Sequence, residues 1–208
     1  MVIAVAVTRN KSISACTLQT LMELEIICIK KGERLEILFT DSPLTMSKAV
    51  KKHERLLWLD FSVAIDTKSL LSVFEPFPQG YHVMVFPVVV EGVDWKMFEK
   101  KTREGSTELV SQRGLNFDTV VGRVLAPGIR DVTSTTARGF LMDCKQVDKK
   151  LRTPKMTIKL SDSYEENVSI LKDAGVKFCA LTSAVVTASY THECFGNILD
   201  VQGVTFKS

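Results

Sequence analysis

Asp60 is the residue of this chain whose type and surroundings point most directly to chemistry. It breaks a run of large apolar residues, Leu56-Leu57-Trp58-Leu59, which resumes as Val63-Ala64-Ile65 and stops at Asp66. A run without polar alternation reads as a central strand covered on both faces, and ligands of such sheets sit beyond the carboxyl ends of the strands. A carboxylate at that edge either holds a metal ion or nucleotide or caps its own turn. Lys48, Lys51 and Lys52 fall at i, i+3 and i+4, on one helix face, where they either pair with an anionic ligand or form a solvated surface. His53 and His82 read as packing residues, whereas His192 stands alone near the carboxyl terminus. The five cysteines, at 16, 28, 144, 179 and 194, are odd in number and include no Cys-x-x-Cys pair. That usage argues for reduced thiols in a cytosolic protein, against a disulfide framework and against a zinc knuckle.

The 208 residues, 45% hydrophobic and 25% charged, suit one large domain better than two. The formal charge of +3 is mild and the basic residues are scattered, so nucleic-acid binding is not indicated, while a small anionic ligand is compatible. Residues 1–7 are apolar but follow no basic segment and end at Thr8-Arg9-Asn10-Lys11, too soon for a signal peptide. No stretch approaches the ~20 apolar residues of a membrane span.

The order of elements must bring these residues to one sheet edge. Residues 2–7 form a β-branched strand, residues 14–29 carry Leu18, Leu21, Met22, Ile26 and Ile29 at helical spacing, and Gly32 closes that helix. Residues 35–39 read as a buried second strand, and Thr40-Asp41-Ser42-Pro43 caps a helix through His53. The Asp60 strand follows, then Asp66-Thr67 caps a short helix over 68–74 that ends at Pro76 and Pro78. This β-α-β-α-β-α order predicts a parallel, doubly wound half. Beyond it, residues 81–90 read as a strand, at an edge or bulged because of Pro87. Residues 95–103 read as a charged helix and 102–116 as a mobile loop. Strands over 117–125 and 129–132 flank the turn Ala126-Pro127-Gly128, residues 139–142 are apolar, and 143–155 are basic helix plus loop. Ser163-Tyr164-Glu165-Glu166 is a capping box for a helix closing at Gly175, and strands over 176–181, 184–188 and 198–206 complete the chain. The expected fold class is α/β, a mixed, mostly parallel central sheet flanked by helices.

In this order the motifs resemble the GT-A fold of nucleotide-sugar-dependent glycosyltransferases across nearly the whole chain, and within it the viral enzymes of capsid glycosylation. The likeness is carried by Val7-Thr8-Arg9 after the first strand and by residues 57–62 as a strand ending in an Asp-x-Asp-like turn. It is carried further by Arg138-Gly139-Phe140-Leu141-Met142 on the acceptor side, by residues 162–166 opening a helix that closes on Ala174-Gly175, and by His192. The resemblance implies that residues 1–208 are a single GT-A-like domain excised from a longer multidomain chain. Such a domain moves a hexose, or a deoxyhexose such as rhamnose, from a UDP-sugar to a glycan or glycoprotein acceptor in the host cytoplasm.

On that resemblance Val7, Thr8, Arg9, Asp41, Lys48, Asp60, Phe61 and Ser62 line the donor, Asp60 and His192 hold Mn²⁺ or Mg²⁺, and Asp162 or Glu165 is the base on the acceptor hydroxyl. The departing diphosphate gains negative charge, which a fixed cation stabilises, and an imidazole ligand favours Mn²⁺. Asp41, Asp162 and Glu165 are equally explained as helix-capping or first-turn acids. One departure stands out: the second aspartate of the motif is Ser62, a poor ligand for a hard cation. A non-catalytic nucleotide-sugar-binding or assembly domain is therefore the alternative. A nucleotidylyltransferase is disfavoured because residues 7–11 contain no glycine. Trp58 reads as core, and Trp95 as either surface or sugar platform.

Overall fold

The computed structural model describes residues 2–8, 13–40, 44–90, 92–108, 110–152, 159–161 and 164–189. The chain opens with β1 (Val2–Thr8), α1 (Ala15–Lys31), β2 (Arg34–Thr40), α2 (Leu44–Lys52) and β3 (Arg55–Leu59). Local chemistry sets the boundaries. Ser14 accepts the Thr17 N–H at the start of α1, and Gly32, at φ 68°, donates to the Cys28 and Ile29 carbonyls at its end. β1 lies between β2 and β3 and runs parallel to both, with Val7 opposite Phe39 on one side and Leu59 on the other. Because the chain steps from β1 to β2 and then back across to β3, α1 and α2 cover opposite faces, as the doubly wound expectation requires.

After β3 come β4 (Val63–Ile65), α3 (Thr67–Leu70) with a 3₁₀ turn over Leu71–Phe74, β5 (Val83–Val85) and α4 (Trp95–Arg103). The rest of the chain supplies β6 (Thr119–Ala126), β7 (Ile129–Thr135), β8 (Gly139–Asp143), α5 (Cys144–Leu151), α6 (Tyr164–Asp173), β9 (Phe178–Leu181) and β10 (Val186–Ala188). Eight strands form one sheet in the order β2-β1-β3-β8-β5-β9-β7-β6, and β10 pairs antiparallel with β4 outside it. The fold is α/β with helices on both faces, as expected. The balance within the sheet differs from the expectation: β5 and β9 are parallel, but β8 runs antiparallel to β3 and β5, and β7 antiparallel to β9 and β6.

Alternation along the central strands divides the core. Leu56, Trp58, Phe140, Met142 and Val83 pack with Met46 and Val50 of α2, Val147 of α5 and Leu171 of α6. Ile3, Val5, Leu57, Leu59 and Leu141 pack with Leu21, Leu24 and Ile27 of α1. Each fully buried leucine among these contributes about 1.5–3 kcal/mol. Trp58 is core, 1% exposed and stacked parallel to Phe140, while Trp95 is 64% exposed.

Several local expectations are corrected. The Asp60 run is two strands, since β3 ends at Leu59 and β4 leaves the main sheet. β2 is an edge strand and only partly covered, with Phe39 exposed. The strand expected over 81–90 is confined to Val83–Val85 and lies inside the sheet; Pro87 cannot donate to a ladder, and beyond it Val89 makes an isolated bridge to Phe117. Residues 102–116 contain a 3₁₀ turn, Val110–Gln112, and Arg113 fastens the stretch by donating to the Ser106 and Glu108 carbonyls. On α1, Leu18, Met22, Ile26 and Ile29 face solvent, and the buried face carries Thr17 and Thr20 beside Leu21 and Leu24. The strand expected over 198–206 lies outside the described residues.

Candidate functional site

β3 ends in a tight turn that Asp60 closes upon itself. Its N–H donates to the Arg138 carbonyl (2.8 Å) and its own carbonyl accepts from Val63 N–H (3.0 Å). One carboxylate oxygen, Oδ1, accepts from the Ser62 N–H (3.1 Å) and the Ser62 hydroxyl (2.7 Å). This is the local turn chemistry expected of an aspartate followed by a serine. Two more contacts fix the turn: Phe61 accepts Ser14 N–H at the start of α1 (2.9 Å), and Ser62 accepts Ser189 N–H after β10 (2.8 Å).

Arg138, the residue before β8, reaches across this turn. Its Nη2 donates to Ser62 Oγ at 2.9 Å and lies 3.4 Å from Asp60 Oδ1, while Nη1 lies 3.5 Å from the Val89 carbonyl. The Ser62 hydroxyl thus relays between guanidinium and carboxylate, accepting from one and donating to the other. The Arg138 N–H donates to Asp118 Oδ2 (3.3 Å), and Asp118 Oδ1 accepts from Val88 N–H (3.0 Å) and the Thr119 hydroxyl (2.8 Å). Asp118 is buried. Ala137, also buried, is held at φ 51°, a left-handed conformation that costs an L residue about 1–2 kcal/mol. A buried carboxylate and a strained peptide together aim one arginine at the end of β3.

The side chains of Asp60 and Arg138 are 24% and 27% exposed and 3.4 Å apart. A pair of that length and exposure is worth about 0–1 kcal/mol, so stability alone does not account for the construction around it. The sequence places Arg138 only within the segment 138–142 expected on the acceptor side, whereas its guanidinium lies on the Asp60–Ser62 turn. The signal available was an arginine abutting a buried apolar strand, but nothing local says that β8 pairs with β3.

The other expected site residues separate into groups. Asp60, Phe61 and Ser62 form the turn, and the register of β1 with β3 sets the ends of Val7 and Thr8 beside it. Lys48 is exposed on α2, Lys52 is bound to both Glu36 oxygens at 2.8 Å, and Glu165 lies in the first turn of α6. Arg9, Asp41, Asp162 and His192 lie outside the described residues. His53 is buried near Glu36 (3.6 Å), and the His82 Nδ1 accepts the Lys177 N–H (3.0 Å); burial lowers the pKa of both imidazoles. Both are packing residues.

The described residues do not by themselves make up a divalent-cation site at Asp60, and His192, the second expected ligand, lies outside them. No group of three or more His, Cys, Asp or Glu converges among them. Oδ1 already serves two donors of Ser62, and a guanidinium stands 3.4 Å from it where a metal would need oxygen ligands.

A cavity of about 290 Å³ is lined by residues of α1, β4 and β10, among them Cys16, Gln19, Glu23 and Ile65, and by Thr67. Cys16 Sγ is 3.2 Å from Ser14 Oγ and 2.7 Å from Ser189 Oγ, and these hydrogen bonds lower its pKa. Cys144 and Cys179 are buried, and burial pushes both thiols up to about 12. Among the described residues no helix is long and apolar enough to cross a membrane.

No family model matches the chain, and no curated protein matches it. Among solved structures, A197 from STIV is similar at 14% identity, over 91% of this chain and 86% of that one, with a TM-score of 0.49. A protein from Bacillus anthracis assigned as a glucose-1-phosphate thymidylyltransferase is similar at 11% identity over 100% and 98% of the two chains, with a TM-score of 0.48. A glycosyltransferase involved in the glycosylation of the major capsid of PBCV-1 is similar at 17% identity over 43% of this chain and 53% of that one, with a TM-score of 0.28.

Proposed function

We propose that the chain is a glycosyltransferase domain that takes a UDP-sugar at the carboxyl edge of β1 and β3 and passes the sugar to a glycan or glycoprotein acceptor. The observation that supports this most is where the strand order reverses. β2-β1-β3 is parallel, α1 and α2 leave on opposite faces, and Asp60, Ser62 and Arg138 gather at the carboxyl end of β3, the strand next to that reversal. Ligands of α/β sheets bind at such reversals. A guanidinium suits phosphate oxygens, and a carboxylate with a hydroxyl suits sugar or ribose hydroxyls. Donors fixed before the reaction stabilise charge as it develops on a departing diphosphate.

The acceptor base is assigned to Asp162, which lies outside the described residues, or to Glu165 in the first turn of α6. The narrower reading, a hexose or deoxyhexose delivered to a viral capsid glycoprotein, rests on the resemblance of residues 57–62, 138–142 and 162–175 to that family. Thermal unfolding with UDP tests the donor site: a ligand at about 100 times its Kd adds ~2.7 kcal/mol. UDP is expected to raise the melting temperature, and no shift with any nucleoside diphosphate sinks the proposal. Release of UDP from UDP-hexoses, followed chromatographically, tests the chemistry; Asp162→Asn or Glu165→Gln is expected to reduce it while leaving UDP binding intact. One observation favours a non-catalytic binding domain instead, the engagement of Asp60 Oδ1 by Ser62 and Arg138. That alternative predicts UDP binding with no turnover of any UDP-sugar.

A further inference from the structure

We infer that the Arg138 guanidinium, and not a divalent cation on Asp60, is the positive charge that meets the diphosphate of the donor. The inference rests on the proposed donor site and departs from the metal-assisted expectation for it. Three features of the molecule carry it.

Arg138 is held by its main chain from both sides, through Asp118 Oδ2 (3.3 Å) and the Asp60 N–H (2.8 Å), next to a buried Ala137 at φ 51°. Backbone conformations of that kind persist when the surroundings impose them, and they concentrate at sites that need a group in a fixed place. Next, among the described residues the guanidinium is poorly occupied. Its one short contact with them is to Ser62 Oγ at 2.9 Å; those to Asp60 and Val89, at 3.4 and 3.5 Å, are at the outer limit of hydrogen bonding. With five N–H donors in a planar fork, most of its capacity remains for a ligand, and 27% of the side chain is exposed. A phosphate with two oxygens in that plane makes shorter, charge-assisted bonds to it.

The third feature is what a metal would face. A small hard cation such as Mg²⁺ binds oxygen ligands at about 2.0–2.1 Å. At Asp60 Oδ1 it would compete with the Ser62 N–H and hydroxyl and confront a like charge from Arg138, and Ser62 offers a neutral oxygen where a second carboxylate would help. The same turn suits a different division of labour. Asp60 and Ser62 orient the guanidinium through the hydroxyl relay, and incoming phosphate draws Nη1 and Nη2 outward from their long contacts.

Calorimetric titration of the whole chain with UDP and with uridine, in EDTA and then with Mn²⁺, tests this. UDP is expected to bind in EDTA more tightly than uridine, and Mn²⁺ to change the UDP affinity by less than about twofold. Arg138→Gln is expected to weaken UDP roughly 10- to 100-fold, to the level of uridine, and to leave uridine unchanged; Arg138→Lys falls between, having lost the fork. Loss of UDP binding in EDTA with recovery in Mn²⁺ overturns the inference, as does an Arg138→Gln protein that binds UDP like the wild type. If circular dichroism finds Arg138→Gln unfolded, the EDTA and Mn²⁺ titrations of the wild type decide alone. Failure of both UDP and uridine to bind under every condition removes the donor site itself, an outcome distinct from metal-dependent binding.

Discussion

Asp118 shows how much of the candidate site depends on a residue that touches none of the proposed ligand. Its carboxylate is buried and accepts from Val88 N–H, the Thr119 hydroxyl and Arg138 N–H, so it ties the segment after β5, the start of β6 and the peptide before β8 together. Removing it strands at least two buried donors, each at a cost of about 1–3 kcal/mol. Asp118→Ala is therefore expected to lower stability by roughly 2–4 kcal/mol in urea unfolding. Asp118→Asn retains one acceptor oxygen and is expected to lose distinctly less; equal losses for the two variants would contradict the assignment. At this scale the sequence is half legible. Asp60 announces itself because a charged residue breaks an apolar run, and Ser62 because it sits two residues on. Arg138 and Asp118 do not, since their meaning comes from positions 78 and 20 residues away in the chain, which no local pattern encodes.

Helix α1 is the element whose pattern misleads. Apolar spacing locates the helix but not its buried face, because two polar residues belong inside. Thr17 Oγ1 lies 3.0 and 2.8 Å from the Phe61 and Val63 carbonyls, and Thr20 Oγ1 accepts the Ile65 N–H at 3.1 Å. β4 leaves the main sheet after the Asp60 turn and pairs on one side with β10, so backbone groups on its other side turn to these hydroxyls. Buried backbone polar groups require partners, and here the helix supplies them. Thr17→Val keeps the shape of the side chain while removing the hydroxyl, and is expected to destabilise by about 1–2 kcal/mol. Leu18→Gln, at a residue 46% exposed, is expected to stay within about 0.5 kcal/mol. Chemical denaturation of the two single variants compares them directly; a larger loss at Leu18 would mean that the helix packs through its apolar stripe instead. The strand over 81–90 fails for a simpler reason, since Pro87 ends the ladder that the surrounding valines would otherwise extend.

Across the whole molecule, legibility follows sequence distance. The parallel half β2-β1-β3 is built from neighbouring units whose caps, spacing and turns are all local, and its strand order and direction are as expected. The second half inserts β8 between β3 and β5, a pairing fixed by long-range register that the apolar character of residues 139–142 does not specify. Burial in this two-sided core also sets how stability responds to pH. His53 and His82 are buried, and desolvation, the largest influence on each, holds its pKa below the ordinary 6.5; the Glu36 carboxylate offsets this only in part at His53, whose Nδ1 has no hydrogen-bond partner among the described residues. Below that ordinary value the unfolded chain takes up protons that the folded chain refuses. The unfolded state then binds more protons, and stability falls with decreasing pH, by at most about 1.4 kcal/mol per pH unit for each histidine. Stability is accordingly expected to be flat above about pH 7.5 and to decline from there toward about pH 5.5, a window above the range where ordinary carboxylates titrate. Urea unfolding across that range measures the slope, and His53→Gln and His82→Gln should each flatten it. A slope of the opposite sign, or one untouched by both substitutions, would show that the imidazoles are charged in the folded core.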